Sequence, residues 1–142
     1  MPGYRNMLRL SILTLIHAVL HTVGGMFGGP RNAEQAAALA SAQSLRFQAF
    51  GLTRSYWHFY FGFGLVTSLT LLLLSALLWQ LSSLVLTDPA KARPFLAMLF
   101  LMFIALSVIS WYYFFAPPFV MEIIIAAVIG VAFMLAGKKE PA

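Results

Sequence analysis

Four apolar stretches dominate the chain, at residues 7–27, about 59–86, 94–115 and 119–136. Each is long enough for a helix to cross the hydrocarbon core of a bilayer, which takes about 20 residues. The polar positions between them differ in kind. Residues 28–54 open with Gly28, Gly29 and Pro30, after which Asn32 precedes "AEQAAALASAQ", the pattern of a short capped surface helix. The following "SLRFQAFGL" sets Leu45, Phe47 and Ala49 against Arg46 and Gln48, a two-residue period that fits either a bent interfacial strand or a loop. The second connection, "TDPAKARP", pairs a capping Asp88 with Pro89 and Pro94, which suit first-turn positions that need no donor. The third, "APPF", ends one helix and starts the next at Pro117 and Pro118. Links this short force antiparallel neighbours. The expected fold is therefore all-α: one domain over residues 1–142, an up-down four-transmembrane-helix bundle with a longer first extramembrane connection.

Composition strengthens that picture. Of 142 residues 61% are hydrophobic and 9% charged, outside the range of soluble globular domains. Cysteine is absent, which removes disulfides, thiolate metal sites and a cysteine nucleophile. The first stretch follows Arg5 and Arg9 as a signal peptide would, but its length and the run "HTVGGMFGG", which lacks an A-x-A cleavage pattern, make it a retained helix.

The net charge of +5 sits in short segments between apolar stretches, where it reports orientation and not nucleic-acid binding. With the N-terminus inside, Arg5, Arg9, Lys91, Arg93, Lys138 and Lys139 are cytoplasmic against Arg31, Arg46 and Arg54 outside, so both termini are expected in the cytoplasm. Tyr56, Trp57 and Tyr60, with Trp111, Tyr112 and Tyr113, then fall in the outer aromatic belt.

Ionisable side chains inside the spans are the candidate chemistry. His17 and His21 lie one helical turn apart in the first span, His58 at the rim of the second and Glu122 roughly 6 Å inside the fourth, all on the outer side. A helical period puts Thr14, His17, His21, Gly24 and Gly28 on one face, and Leu15, Val19, Val23 and Met26 on the opposite one. Glu122, Ala126 and Gly130 form a small-residue stripe, and Gly62 lies one turn below His58, so close helix approach is expected at each. Imidazole and carboxylate groups in hydrocarbon cost a few kcal/mol each unless they pair or line a wet cavity. A buried cluster of His21, His58 and Glu122, with His17 beneath, is the economical arrangement.

Such a cluster has several uses. It fixes helix register in a structural or accessory membrane protein. It serves as a metal site, with His17 and His21 sharing a face and His58 and Glu122 completing the ligand set, although no glutamate follows the first histidine as a hydrolytic base would. It acts as an acid–base pair, Glu122 with His21 or His58, on a lipophilic small molecule held by Phe59, Tyr60, Phe63, Trp111 and Tyr112. It relays protons in coupled transport, which in so small a protein calls for a homo-oligomer, to which Gly24/Gly28 and Gly25/Gly29 contribute.

The segments "HTVGGMFGGPR" and "RSYWHFYFGFGL", with the apolar stretch after the second, resemble an uncharacterised family of small bacterial integral membrane proteins. The likeness covers about the first half of the chain. It implies a bacterial cytoplasmic (inner) membrane location and a four-helix layout, and it carries no activity, cofactor or residue role.

Overall fold

The computed structural model describes residues 2–136, with side chains from Leu8 onward. Lys138, Lys139 and the Arg5 side chain, which enter the charge count, lie outside the described residues. Helix α1 runs Pro2–Leu20 and continues as a π-helical segment, His21–Met26, where the N–H of Phe27 reaches back five residues to Thr22 O at 3.3 Å. Gly24 and Gly25 ease that wider turn because they carry no side chain. The wider turn also changes which residue faces inward. Met26, which a uniform α-helical period sets opposite His21, is buried, its thioether in the notch left by Gly64.

Helix α2 (Ala33–Ser44) begins as its sequence predicts, with the Asn32 side chain accepting from Gln35 N at 2.8 Å. The segment with a two-residue period is an antiparallel hairpin, β1 (Arg46–Ala49) with β2 (Leu52–Ser55), in which Phe47 faces Arg54 and Ala49 faces Leu52. β2 runs without a break into α3 (Tyr56–Thr87), a 32-residue helix with no charged side chain. At ~1.5 Å per residue it is ~48 Å long, enough for the hydrocarbon and both headgroup layers.

Helix α4 spans Pro89–Tyr113, capped by Asp88, which accepts from Lys91 N at 3.1 Å. The cap and Pro89 start this helix five residues before the apolar stretch does, so Pro94 lies inside it and not at a helix start. Pro94 cannot bond the carbonyl of Ala90, an exposed residue in the first turn, where an unpaired carbonyl costs less than in a helix interior. Helix α5 is Ala116–Leu135, with proline in its first turn.

The described residues form two compact units: residues 2–17 with 71–136, and residues 18–70. The first is a four-helix bundle. Leu10 of α1, Leu74, Leu78 and Leu81 of α3, Leu96, Leu99 and Phe103 of α4, and Ile125 and Ile129 of α5 make one core. Small residues bring α4 and α5 close: a side chain at Gly130 would meet the Phe100 ring at 3.3 Å. The second unit holds the π-helical segment, α2, the hairpin and the first turns of α3.

The four long helices bury only 22–28% of their most apolar windows inside the chain, leaving Ile16, Leu73, Leu101 and Ile124 exposed. Apolar side chains so displayed are solvated by lipid tails.

Candidate functional site

In the first unit the polar groups are held by small hydroxyls. Ser11 of α1 and Ser75 of α3 exchange bonds reciprocally: each Oγ donates to the other residue's carbonyl at 2.9 Å. Both side chains are buried, and the exchange brings the two backbones together where a larger residue would hold them apart. Thr14, also buried, donates to Leu10 O in its own helix at 2.9 Å. His17 is buried on the same inward face of α1.

Glu122 is 6% exposed, six residues into α5, and its carboxylate accepts a hydrogen bond from Ser110 of α4. Its Oε2 is buried and has no hydrogen-bond partner among the described residues. Ser107, one turn before Ser110, is turned onto its own helix, donating to Ile104 O at 2.7 Å.

In the second unit His21 opens the π-helical segment, and its Nδ1 lies 3.1 Å from Ser68 Oγ of α3. Thr22 has one hydroxyl proton and two acceptors, Ala18 O at 2.7 Å and Ser68 Oγ at 2.8 Å. When Thr22 donates to Ser68, the Ser68 proton is left for His21 Nδ1, which places the ring proton of His21 on Nε2. The π-helical turn and this three-residue network occupy the same place, so the network ties the irregular backbone to α3.

His58 has a different task. Its Nδ1 accepts from the Ser55 N–H at 3.0 Å and lies 2.8 Å from Ser55 Oγ. A backbone N–H only donates, so Nδ1 carries the lone pair and Nε2 the proton. Ser55 and His58 thus reproduce the spacing of a capping box at the start of α3, with imidazole in place of the usual Glu or Gln.

Each predicted residue is therefore accounted for within its unit: His17 and Glu122 in the first, His21 and His58 in the second. Among the described residues no group of three or more His, Asp or Glu side chains is arranged to hold a metal ion. The predicted aromatics are likewise placed: Phe59 stacks on Phe63 in the second unit, with ring centroids 6.3 Å apart. In the first, Trp111 packs on Phe119 at 5.1 Å and lines, with Val108 and Tyr112, an open groove of about 370 Å³. A smaller depression of about 220 Å³, edged by Gly25, Gly29, Gln35, Trp57 and Tyr60, lies in the second unit. Sequence reasoning centred on ionisable groups passed over Ser11, Ser68, Ser75 and Ser110. Their signal was a hydroxyl in an otherwise aliphatic helix.

Four helices of membrane-crossing length and composition, faced with exposed aliphatic side chains, decide the class. This is a small multi-pass membrane protein. Comparison with protein-family models, curated proteins and solved structures finds no match in any of the three.

Proposed function

We propose that this multi-pass protein is a structural or accessory component of the bacterial cytoplasmic membrane, a single four-span domain whose intramembrane polar residues hold its helices in register. The reciprocal Ser11–Ser75 exchange supports this reading most directly, because both hydroxyls are consumed in joining two spans. The hydrogen bond between Ser110 and Glu122 and the network of His21, Thr22 and Ser68 add to it. The charge count, six basic residues against three, supports a topology with both termini in the cytoplasm, and the sequence likeness of the first two spans supports a bacterial source. Reporter fusions after Ala142 and within residues 33–43 should report opposite compartments; a shared compartment overturns the topology.

A second reading rests on one atom. Glu122 Oε2 is buried and has no hydrogen-bond partner among the described residues, which suits a carboxyl that meets a lipophilic small molecule, a metal ion or a mobile proton. Analysis of metals and co-purified lipids in the detergent-extracted protein, with Glu122→Gln and His21→Ala beside it, separates the two. The register reading expects identical bound contents in all three. Loss of a bound species from either variant transfers the assignment to a binding site or enzyme. The open faces of Gly24, Gly25 and Gly29 suit contact with a second copy, which cross-linking in native membranes would detect.

A further inference from the structure

The hairpin of the second unit is closed by Phe50 and Gly51 alone, with φ of 49° and 79°. Two positive φ values in a two-residue loop are the type I′ geometry, whose first position favours Asn, Asp or Gly. Glycine adopts it freely, whereas a phenylalanine there brings its Cβ against the backbone. Nor does packing within the chain offset that strain, since Phe50 is 107% exposed. Strain with no internal return directs attention to what lies outside the chain.

The rest of the hairpin indicates what that is. Leu45, just before β1, and Leu52, which opens β2 beside the turn, are exposed apolar residues. Arg46 and Arg54 are the charged residues of the hairpin, and no Asp or Glu occurs between Gln35 and Thr87 to neutralise them. The hairpin also leans on the start of a span. Phe47 stacks on Tyr56 at 5.2 Å and on Phe59 at 5.5 Å, one turn into α3. A strand of four residues reaches about 13 Å. With Phe47 against the first turn of α3, among tyrosine and tryptophan of the kind that settle at the membrane–water boundary, the base of the hairpin lies at headgroup level and its tip within about 13 Å of it.

We propose that the β1–β2 hairpin is a lipid anchor, in which Phe50 at the tip enters the headgroup–acyl boundary of the protein's own bilayer while Arg46 and Arg54, at the base of the hairpin, hold the phosphates of anionic lipids. The arrangement supplies an apolar tip on a cationic base, the pairing that gives interfacial segments their preference for anionic membranes. It rests on the reading of the chain as membrane-spanning.

The absence of cysteine makes the test direct, because a single introduced cysteine accepts one fluorophore. Three labelled variants, Leu52→Cys at the tip, Ala38→Cys on the exposed face of α2 and Leu73→Cys on the lipid face of α3, are reconstituted in vesicles containing phosphatidylglycerol. The Leu52 label should be quenched by a nitroxide carried near the lipid headgroup and shielded from aqueous iodide, with Ala38 the reverse. Adding Phe50→Asn, which suits the positive φ, should expose the Leu52 label to iodide with the fold retained. Replacing each arginine by glutamine should weaken the enrichment of phosphatidylglycerol over zwitterionic lipid beside the hairpin, read from headgroup-specific quenching of the Leu52 label, about fivefold.

A Leu52 label as open to iodide as that at Ala38, with Leu73 quenched from the lipid, overturns the anchor and leaves the spans intact. A Leu73 label in water overturns the membrane reading itself. A tip shielded from iodide yet unquenched by lipid nitroxide overturns the anchor in favour of contact between copies.

Discussion

The two compact units use the same residue types to opposite ends. In the first, leucine, isoleucine and phenylalanine from all four helices fill a common core. In the second, Ala18 and Met26 are the buried apolar residues among those described, and most of the aromatic side chains of the first turns of α3 face outward. Within a bilayer an apolar side chain gains little by leaving lipid for protein, so burial stabilises mainly through close packing. The bundle therefore stands on interlocking shape. The second unit depends on directed contacts: hydrogen bonds at His21 and His58, ring stacking around Phe47, and the strand ladder. Contacts of that kind open locally at lower cost, and segments that meet partners or surfaces are drawn from such regions.

The largest expected effect tests the packing half of this contrast. Phe103 is fully buried at the centre of α4, and Phe103→Ala should destabilise the bundle by about 3 kcal/mol, the low end for such truncations because lipid replaces water outside. Leu101→Ala, on the lipid face, should stay within about 0.5 kcal/mol. Reversible unfolding in mixed micelles measures both. Equal losses would mean that the core is not what holds the helices.

In the second unit the sharper test is His58. Its imidazole accepts the Ser55 N–H, so His58→Ala should cost about 1 kcal/mol and fray the start of α3, while His58→Gln, which offers a carbonyl at the same reach, should restore most of it. Amide exchange at Ser55 reads the bond directly. An unprotected Ser55 amide in the unsubstituted protein would remove the capping role and return His58 to the list of chemical candidates.

Smaller still is the exchange between Ser11 and Ser75. Each hydroxyl donates to the other residue's backbone carbonyl, so Ser11→Ala and Ser75→Ala should each cost about 0.6 kcal/mol, the usual worth of an interhelical hydrogen bond in a membrane, and the two costs should add. Losses indistinguishable from zero in both variants would mean that the helices are placed by packing alone.

Much of the architecture was legible because its causes are local. Span lengths follow from apolar stretches, and the caps at Asn32 and Asp88 from a polar side chain placed just before a helix. The two-residue period of Leu45, Phe47 and Ala49 carried the strand, but Phe50–Gly51 lacks the Asn-Gly or Asp-Gly signature of its turn, so the sequence left the hairpin undecided. The π-helical segment was hidden for a different reason: its network closes on Ser68, 47 residues from His21, and no short window contains both. The burial of Met26 depends on that segment and was hidden with it. For the candidate site, depth along each helix was readable, whereas the partners were not. Ser55 stood within reach of His58 in the sequence, but Ser110 met Glu122 only once α4 and α5 had packed.

The two caps that were legible differ in charge, which gives the comparison its finest test. Asn32 is neutral, so the start of α2 should be indifferent to pH through its cap. Asp88 accepts from Lys91 N and forms an ion pair with Lys91 Nζ at 2.8 Å. Hydrogen bonding from the Lys91 side chain, then from its backbone, holds the Asp88 carboxyl below the usual carboxylate range, and the same contact raises the Lys91 ammonium. A depressed carboxyl contributes its stability above the unfolded value, about 3.9, and loses it as pH falls through the lower folded value. The raised lysine contributes below about 10.4 and loses it as pH climbs through the higher folded value. The first turn of α4 should therefore be flat across neutral pH and weaken at both extremes. Asp88→Asn keeps an acceptor for the cap but removes the charge, so its loss should be small at neutral pH, shrink with salt and vanish in acid. Amide exchange at Ala92, whose N–H bonds Asp88 O at 3.2 Å, follows it. A difference between the variant and the parent that persists in acid would assign the effect to cap geometry, and would make the two helix starts alike after all.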